Sequence, residues 1–181
     1  MLALIEAARP ADYPAEIALV LSSRPDAPGL ATAKALGVAT AAVDHKIFAG
    51  RAEFEAAMQM LFEIHRIDIL CLAGFMRLLT PGFVARWKGR IINIHPALLP
   101  AYKGLGTHAR ALADGIAEHG CTVHFVEAAM DEGPVIAQAR VAVLAGDTAA
   151  SLAARVLAAE HALYPAALAQ VARDLRQAKH C

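Results

Sequence analysis

Apolar residues recur along this chain at two spacings, one typical of buried strands and one typical of amphipathic helices. Short apolar runs predict six strands, at 16–23, 38–43, 67–74, 90–95, 121–127 and 134–143. Apolar positions three or four residues apart predict helices at 1–8, 28–37, 51–65, 81–87, 107–115 and 148–179. Pro165 predicts a break or a bend in the last helix, because proline has no N–H to donate within a helix.

The alternation of strands and helices predicts an α/β fold with a mostly parallel, buried sheet and helices on both faces. The last two strands are joined by a glycine-containing loop and could pair antiparallel. No linker, repeat or low-complexity tract interrupts the pattern, which predicts a single domain over residues 1–181.

The start of the chain departs from the usual order of such folds. A doubly wound fold normally opens with a strand, and a glycine-rich turn leads from it into the first helix, whose N-terminus binds phosphate. This sequence opens directly on the helix at 1–8. We therefore expect the first strand and its phosphate-binding turn to be missing.

Composition and charge argue against several classes of protein, including nucleic-acid-binding and membrane-spanning proteins. Hydrophobic residues make up 57% of the chain, enough for a sizeable core, and 17 basic residues balance 17 acidic ones. This balance argues against a nucleic-acid partner. The longest apolar run, 67–75, is too short to span a bilayer, and the N-terminus lacks the features of a signal peptide. An odd number of cysteines without a CxxC pair (Cys71, Cys121 and Cys181) predicts free thiols, no metal site and a cytoplasmic location.

Candidate chemistry is concentrated where the strand at 90–95 ends. Asn93 and His95 are two residues apart, so their side chains share one face of the strand, at the edge where α/β sheets bind ligands. Asp131 lies in a turn between the last two strands, and His124 lies within the strand before it. Taken alone, each could be an ordinary strand cap, turn carboxylate or core histidine.

Together these residues suit acyl transfer. A nearby carboxylate favours the charged form of an imidazole, which can then donate a proton, and an asparagine amide can stabilise an oxyanion. The sequence has no G-x-S-x-G motif and no cysteine nucleophile with a placed base. The set therefore predicts direct transfer through a tetrahedral intermediate, without a covalent enzyme intermediate.

Four stretches carry a family resemblance: LAGFMRLLTPGFV (72–84), GRIINIHPALLPAYKGLGTHARAL (89–112), HGCTVHFVEAAMDEGPVIAQARVAV (119–143) and AAEHALYP (158–165). They resemble the folate-dependent formyltransferases, especially those that act on glycinamide ribonucleotide. The resemblance implies a Rossmann-like formyltransferase fold and 10-formyltetrahydrofolate as co-substrate. It also implies formyl transfer to the amine of 5'-phosphoribosylglycinamide in purine (IMP) biosynthesis.

The resemblance also implies residue roles. Asn93 would bind the formyl oxygen, His95 would act as general acid, and Asp131 would stabilise the protonated His95 and help relay protons. Gly104 and Glu160 would contact the ribonucleotide, and His108 and His124 would support the site. Besides Asn93, the folate would contact Arg51, the segment of Phe75, Met76, Arg77, Leu78 and Leu79, and the loop of Glu127, Ala128, Ala129, Met130 and Asp131.

Several alternatives stay open at this point. A formyltetrahydrofolate hydrolase, in which water replaces the amine, shares the N-x-H-P element and the later aspartate. A truncated chain could bind folate without activity, because the expected phosphate-binding turn is absent. Gly106 stands where related proteins often carry a polar residue, which puts one substrate contact in doubt. The apolar segment 72–84 could face a partner in a homodimer, although core packing explains it equally well.

Overall fold

The computed structural model describes residues 1–179, and it confirms the predicted α/β fold. Cys181 lies outside the described residues. A single 3₁₀ turn, His45–Ile47, was not predicted. The elements in chain order are α1 Leu2–Ala7, β1 Val20–Ser22, α2 Pro28–Ala35, β2 Thr40–Ala42, α3 Arg51–Ile64, β3 Leu70–Leu72, α4 Pro81–Arg86, β4 Ile91–His95, α5 Thr107–Ala113, β5 Glu118–Phe125, β6 Val135–Ala142 and α6 Ala149–Ala178.

The strands form two hydrogen-bonded groups. In one, β1 pairs parallel with β2; in the other, the order is β3-β4-β5-β6. β3 and β4 are parallel, whereas β4–β5 and β5–β6 are antiparallel, so the sheet is mixed. The antiparallel pairing of the last two strands is confirmed.

The two groups of strands share one core. Leu21 of β1 and Leu70 and Leu72 of β3 pack in this core, while Cys71 of β3 packs in a second core. A cavity of about 740 Å³ is lined by residues of both groups. Within residues 1–179, no strand pairs with both β1 and β3.

Helices cover both faces of the sheet, as predicted. On one face α3 and α4 contribute an aromatic cluster in which Phe62, Phe83 and Trp87 meet at ring-centroid distances of 5.7 to 6.5 Å. On the other face α1 and α6 bury Leu4 and Leu168 against β4 and β5. Among the described helices, none is both long and apolar enough to cross a membrane.

Helix α6 is continuous through Pro165, so the expected break does not occur. Proline removes one helical hydrogen bond, but here its surroundings hold the helical path. Pro165 is buried, and its carbonyl accepts a hydrogen bond from the Tyr13 hydroxyl at 2.7 Å. The adjacent Tyr164 hydroxyl lies 2.9 Å from the carbonyl oxygen of Leu72 and 3.0 Å from that of Ile92. These contacts attach the middle of α6 to β3 and β4, directly beside Asn93.

Candidate active site

The site is built at the carboxyl end of β4. In the antiparallel ladder with β5, Asn93 lies opposite His124, and His95 lies opposite Thr122 at the last paired position. The next residue is Pro96, which cannot donate a ladder hydrogen bond, and so the strand ends there. The His95 side chain is buried, with 5% of the residue exposed. The ladder therefore fixes the positions of these four polar side chains on two adjacent strands.

Asp131 joins this group from the loop between β5 and β6. Its backbone is left-handed, with φ 55°, a conformation that aspartate tolerates better than most residues. One carboxylate oxygen, Oδ2, accepts the Gly104 N–H at 2.9 Å and lies 3.5 Å from Nδ1 of His95. The other, Oδ1, lies 3.7 Å from Nε2 of His124, and the side chain is only 10% exposed. The structure thus places the three residues proposed from the sequence in one buried cluster with His124.

The protonation of His124 determines how the Asn93 amide is oriented. Nδ1 of His124 lies 2.8 Å from the Phe125 carbonyl oxygen, which can only accept, so this nitrogen carries the proton. Burial lowers the pKa of His124, which favours the neutral ring. Its Nε2 is therefore an acceptor, and the Asn93 Nδ2 atom at 3.3 Å donates to it. The second N–H of the same amide group is left to donate to a ligand.

Two further imidazoles, His108 and His119, lie near His95 and are called here the outer imidazole pair. Their ring centroids are 5.2 Å apart with the rings nearly perpendicular. Burial lowers the pKa of both side chains, and the nearby His95 contributes to the lowering for each. His119 was missed by sequence reasoning, because the strand was predicted to begin at 121 and in fact begins at Glu118.

Part of the predicted folate segment lines a second cavity. Arg51, Phe75, Arg77, Leu78 and Leu79 come together around a space of about 210 Å³. The remaining folate candidates do not line this cavity: Met76 is 80% exposed, and Glu127 to Met130 form the loop that leads into Asp131.

The two candidates for ribonucleotide contact have different surroundings. Gly104, with φ 77°, donates its N–H to Asp131 and so belongs to the buried cluster. Glu160 lies on α6 near the amino group of Met1, and burial raises the pKa of its carboxyl group. In residues 1–179, no group of three or more histidine, cysteine, aspartate or glutamate side chains is arranged to hold a metal ion.

Comparison with known proteins identifies the family of this chain. A family model for formyl transferases matches residues 1–168. The chain belongs to the formyl transferase family.

Three named relatives show which formyl transferases this chain is similar to. It is 45% identical over 170 residues to the trifunctional purine biosynthetic protein adenosine-3 of Homo sapiens, covering 94% of the chain but only 17% of that protein. It is 43% identical over 163 residues to the phosphoribosylglycinamide formyltransferase of Escherichia coli, covering 90% of the chain and 77% of that enzyme. The crystal structure of phosphoribosylglycinamide formyltransferase from Brucella melitensis matches with a TM-score of 0.90 and 53% identity, over 94% of this chain and 88% of that one.

Acid should destabilise this formyl transferase through its buried imidazoles. His108, His119 and His124 have lowered pKa values in the fold, so below a pH of about 6.5 the unfolded chain binds more protons than the folded chain. The contribution of these three imidazoles to the free energy of unfolding is therefore fully present above that pH, and it is lost as the pH falls below it. We expect the free energy of unfolding, measured in urea at a series of pH values, to fall between about pH 7 and pH 5.

The variant His119→Gln tests this cause, because glutamine cannot take up the proton. The slope of unfolding free energy against pH should be shallower in the variant than in the parent protein. Equal slopes in the two proteins would contradict a contribution from His119.

Proposed function

We propose that this formyl transferase moves the formyl group of 10-formyltetrahydrofolate to the amine of 5'-phosphoribosylglycinamide. The observation that carries the proposal is the buried cluster of an amide donor, an imidazole and a carboxylate at the carboxyl end of β4. The names and the high similarity of the relatives from Escherichia coli and Brucella melitensis support the choice of substrates.

The cluster suits the bond changes of formyl transfer. The amine attacks the formyl carbon, and the carbonyl oxygen gains negative charge in a tetrahedral intermediate. The free N–H of Asn93 donates to that oxygen, and the protonated His95 neutralises the developing charge by donating a proton. Collapse of the intermediate returns the hydroxyl proton to His95, re-forms the carbonyl and breaks its bond to the folate nitrogen. The folate nitrogen gains one proton, and the attacking amine loses one.

Asp131 acts through His95 in this scheme. Its carboxylate lies 3.5 Å from the Nδ1 atom and places a negative charge beside the imidazole that donates the proton. The Gly104 N–H holds the same carboxylate oxygen in place. The loop carrying Asp131 is therefore fixed on one side by the backbone of the segment that follows Pro100.

The cavity around Arg51 and Leu79 is the proposed place for part of the folate. Apolar side chains line it together with two arginines, Arg51 and Arg77, and with Glu55 and His45; the apolar surface suits a flat ring system and the arginines suit carboxylates linked to it. We assign Met76, Met130 and the loop from Glu127 to the same ligand, and Gly104 and Glu160 to the ribonucleotide.

Replacing Asn93 by alanine tests the oxyanion donor. Removing one such donor costs about 10²–10³-fold in kcat where this has been measured. We expect a loss of that size for Asn93→Ala, measured as the initial rate of formyl transfer at saturating substrates. The matched control is Gln170→Ala, which removes the same kind of amide from an exposed pair with Asp174 on α6 and should leave kcat unchanged. A kcat for Asn93→Ala within twofold of the parent value would contradict the role.

The substrate assignment is tested by measuring folate deformylation with and without the ribonucleotide. A transferase converts the folate only when 5'-phosphoribosylglycinamide is present. Deformylation at the same rate without it would identify a hydrolase and overturn the proposal. Calorimetry with each substrate separately covers the remaining alternative: binding of the folate without measurable binding of the ribonucleotide would indicate an inactive folate-binding chain.

A further inference from the structure

The main-chain carbonyl of Tyr102 is the second fixed partner of His95. Its oxygen lies 2.9 Å from Nε2 of the imidazole, on the side of the ring away from Asp131. A carbonyl oxygen has no proton to give, so Nε2 must be the donor. Nε2 therefore keeps its proton whether the ring is neutral or charged.

This contact decides which nitrogen exchanges protons. With Nε2 permanently protonated, Nδ1 is the atom that gains a proton in the charged form and loses it in the neutral form. Nδ1 is also the nitrogen that faces Oδ2 of Asp131 at 3.5 Å. A neutral ring must face one of these two acceptors with a lone pair. The carbonyl at 2.9 Å is closer than the carboxylate at 3.5 Å, and that carboxylate oxygen already accepts the Gly104 N–H, so the proton stays on Nε2.

The conformation of Tyr102 is what presents this carbonyl to His95. Its φ is 54°, a left-handed backbone that non-glycine residues rarely adopt, so neighbouring contacts must maintain it. The Tyr102 hydroxyl donates to Asp114 at 2.8 Å, and the edge of the His119 ring meets the tyrosine ring at a centroid distance of 5.7 Å. The Arg110 guanidinium lies 5.4 Å from the same ring and donates to the Lys103 carbonyl at 2.8 Å.

We infer that Tyr102 is a positioning residue. Its carbonyl holds one proton on Nε2 of His95, so that the proton transferred during the reaction is carried by Nδ1. The effect on rate rests on the proposed formyl transfer, whereas the position of the proton in the free protein does not.

Nuclear magnetic resonance of isotope-labelled histidine nitrogens tests the inference directly in the free protein. His95 is assigned by the signal lost in His95→Gln, and spectra are recorded at a pH where the neutral ring dominates. We expect the neutral His95 ring to carry its proton on Nε2. A proton on Nδ1, or an equal mixture of the two forms, would overturn the inference.

Two substitutions at Tyr102 separate the backbone from the side chain. Tyr102→Gly and Tyr102→Val both remove the ring and the hydroxyl, but glycine adopts a positive φ readily and β-branched valine does not. We expect Tyr102→Gly to keep the proton on Nε2 and to have a higher kcat than Tyr102→Val. We expect Tyr102→Val to give a mixture of the two forms and a kcat lower by about tenfold, part of the roughly 10²–10⁴-fold that a placed acid contributes.

The kinetic pattern distinguishes positioning from loss of structure. In Tyr102→Val the KM for the folate should stay within about twofold of the value in Tyr102→Gly, since both variants lack the tyrosine ring and Tyr102 does not line the folate cavity. Identical spectra and identical kcat values for the two variants would overturn the inference. A hydrolase result in the substrate assay would leave the spectra of the free protein unchanged, so the two failures can be told apart.

Discussion

Replacing His95 by alanine is expected to lower kcat by about 10²–10⁴-fold, the usual contribution of a positioned general acid. The ring lies between the Asp131 carboxylate at 3.5 Å and the Tyr102 carbonyl at 2.9 Å. His124 cannot replace it, because its Nδ1 proton is held by the Phe125 carbonyl and its neutral form is favoured by burial. The measurement is the initial rate of formyl transfer at saturating concentrations of both substrates.

The control for this variant is His65→Ala at the end of α3, which makes the same change outside the buried cluster. It should retain the kcat of the parent protein. Circular dichroism should show that both variants are folded. A folded His95→Ala protein with a kcat near that of His65→Ala would show that the imidazole is not the acid.

Replacing Asp131 by asparagine is expected to reduce kcat by a similar factor, about 10²–10⁴-fold, because the negative charge beside the imidazole that donates the proton is then lost. Asparagine has nearly the same shape, and its carbonyl oxygen can still accept the Gly104 N–H, so the loop should keep its conformation. The substitution therefore removes charge while leaving packing largely intact. The kcat and the KM for folate are measured together, and the loss should fall on kcat.

Glu132→Gln is the matched control, since it removes a carboxylate from the adjacent residue. Glu132 is half exposed and pairs with Lys103 at 2.9 Å, and such surface pairs contribute little energy. The control should keep kcat within about twofold of the parent value. If Glu132→Gln lost as much activity as Asp131→Asn, the effect would belong to the loop as a whole and the specific role of Asp131 would be wrong.

The sequence was sufficient to locate the centre of the site. Alternation along a strand put Asn93 and His95 on one face, and the proline that follows placed them at the strand end. The position of Asp131 could not be predicted from strand alternation. Its distance from His95 depends on its own left-handed backbone and on a contact with Gly104, which lies 27 positions away in the sequence. Only the family resemblance supplied that distance before the structure did.

The sequence alone did not identify Tyr102 or His119 as residues of the candidate site. Tyr102 acts through its main-chain carbonyl, which any residue possesses, and so no side-chain pattern marks it. The pairing of β4 with β5 was also not predictable, because the 22 residues between them are long enough for either a parallel crossover or an antiparallel return. Pro165 removes one helical hydrogen bond, which is why the sequence predicted a break or a bend. The contacts that keep α6 continuous come from Tyr13 and from the sheet, and the local sequence does not show them.

We propose that this chain passes a formyl group from folate to an amine at Asn93, His95 and Asp131. A single-turnover experiment provides the test, with 10-formyltetrahydrofolate carrying a carbon label in the formyl group and with 5'-phosphoribosylglycinamide as acceptor. We expect the label to appear as an amide on the ribonucleotide, together with an equal amount of tetrahydrofolate. Label recovered as free formate, or left on the folate while the protein remains folded, would contradict it.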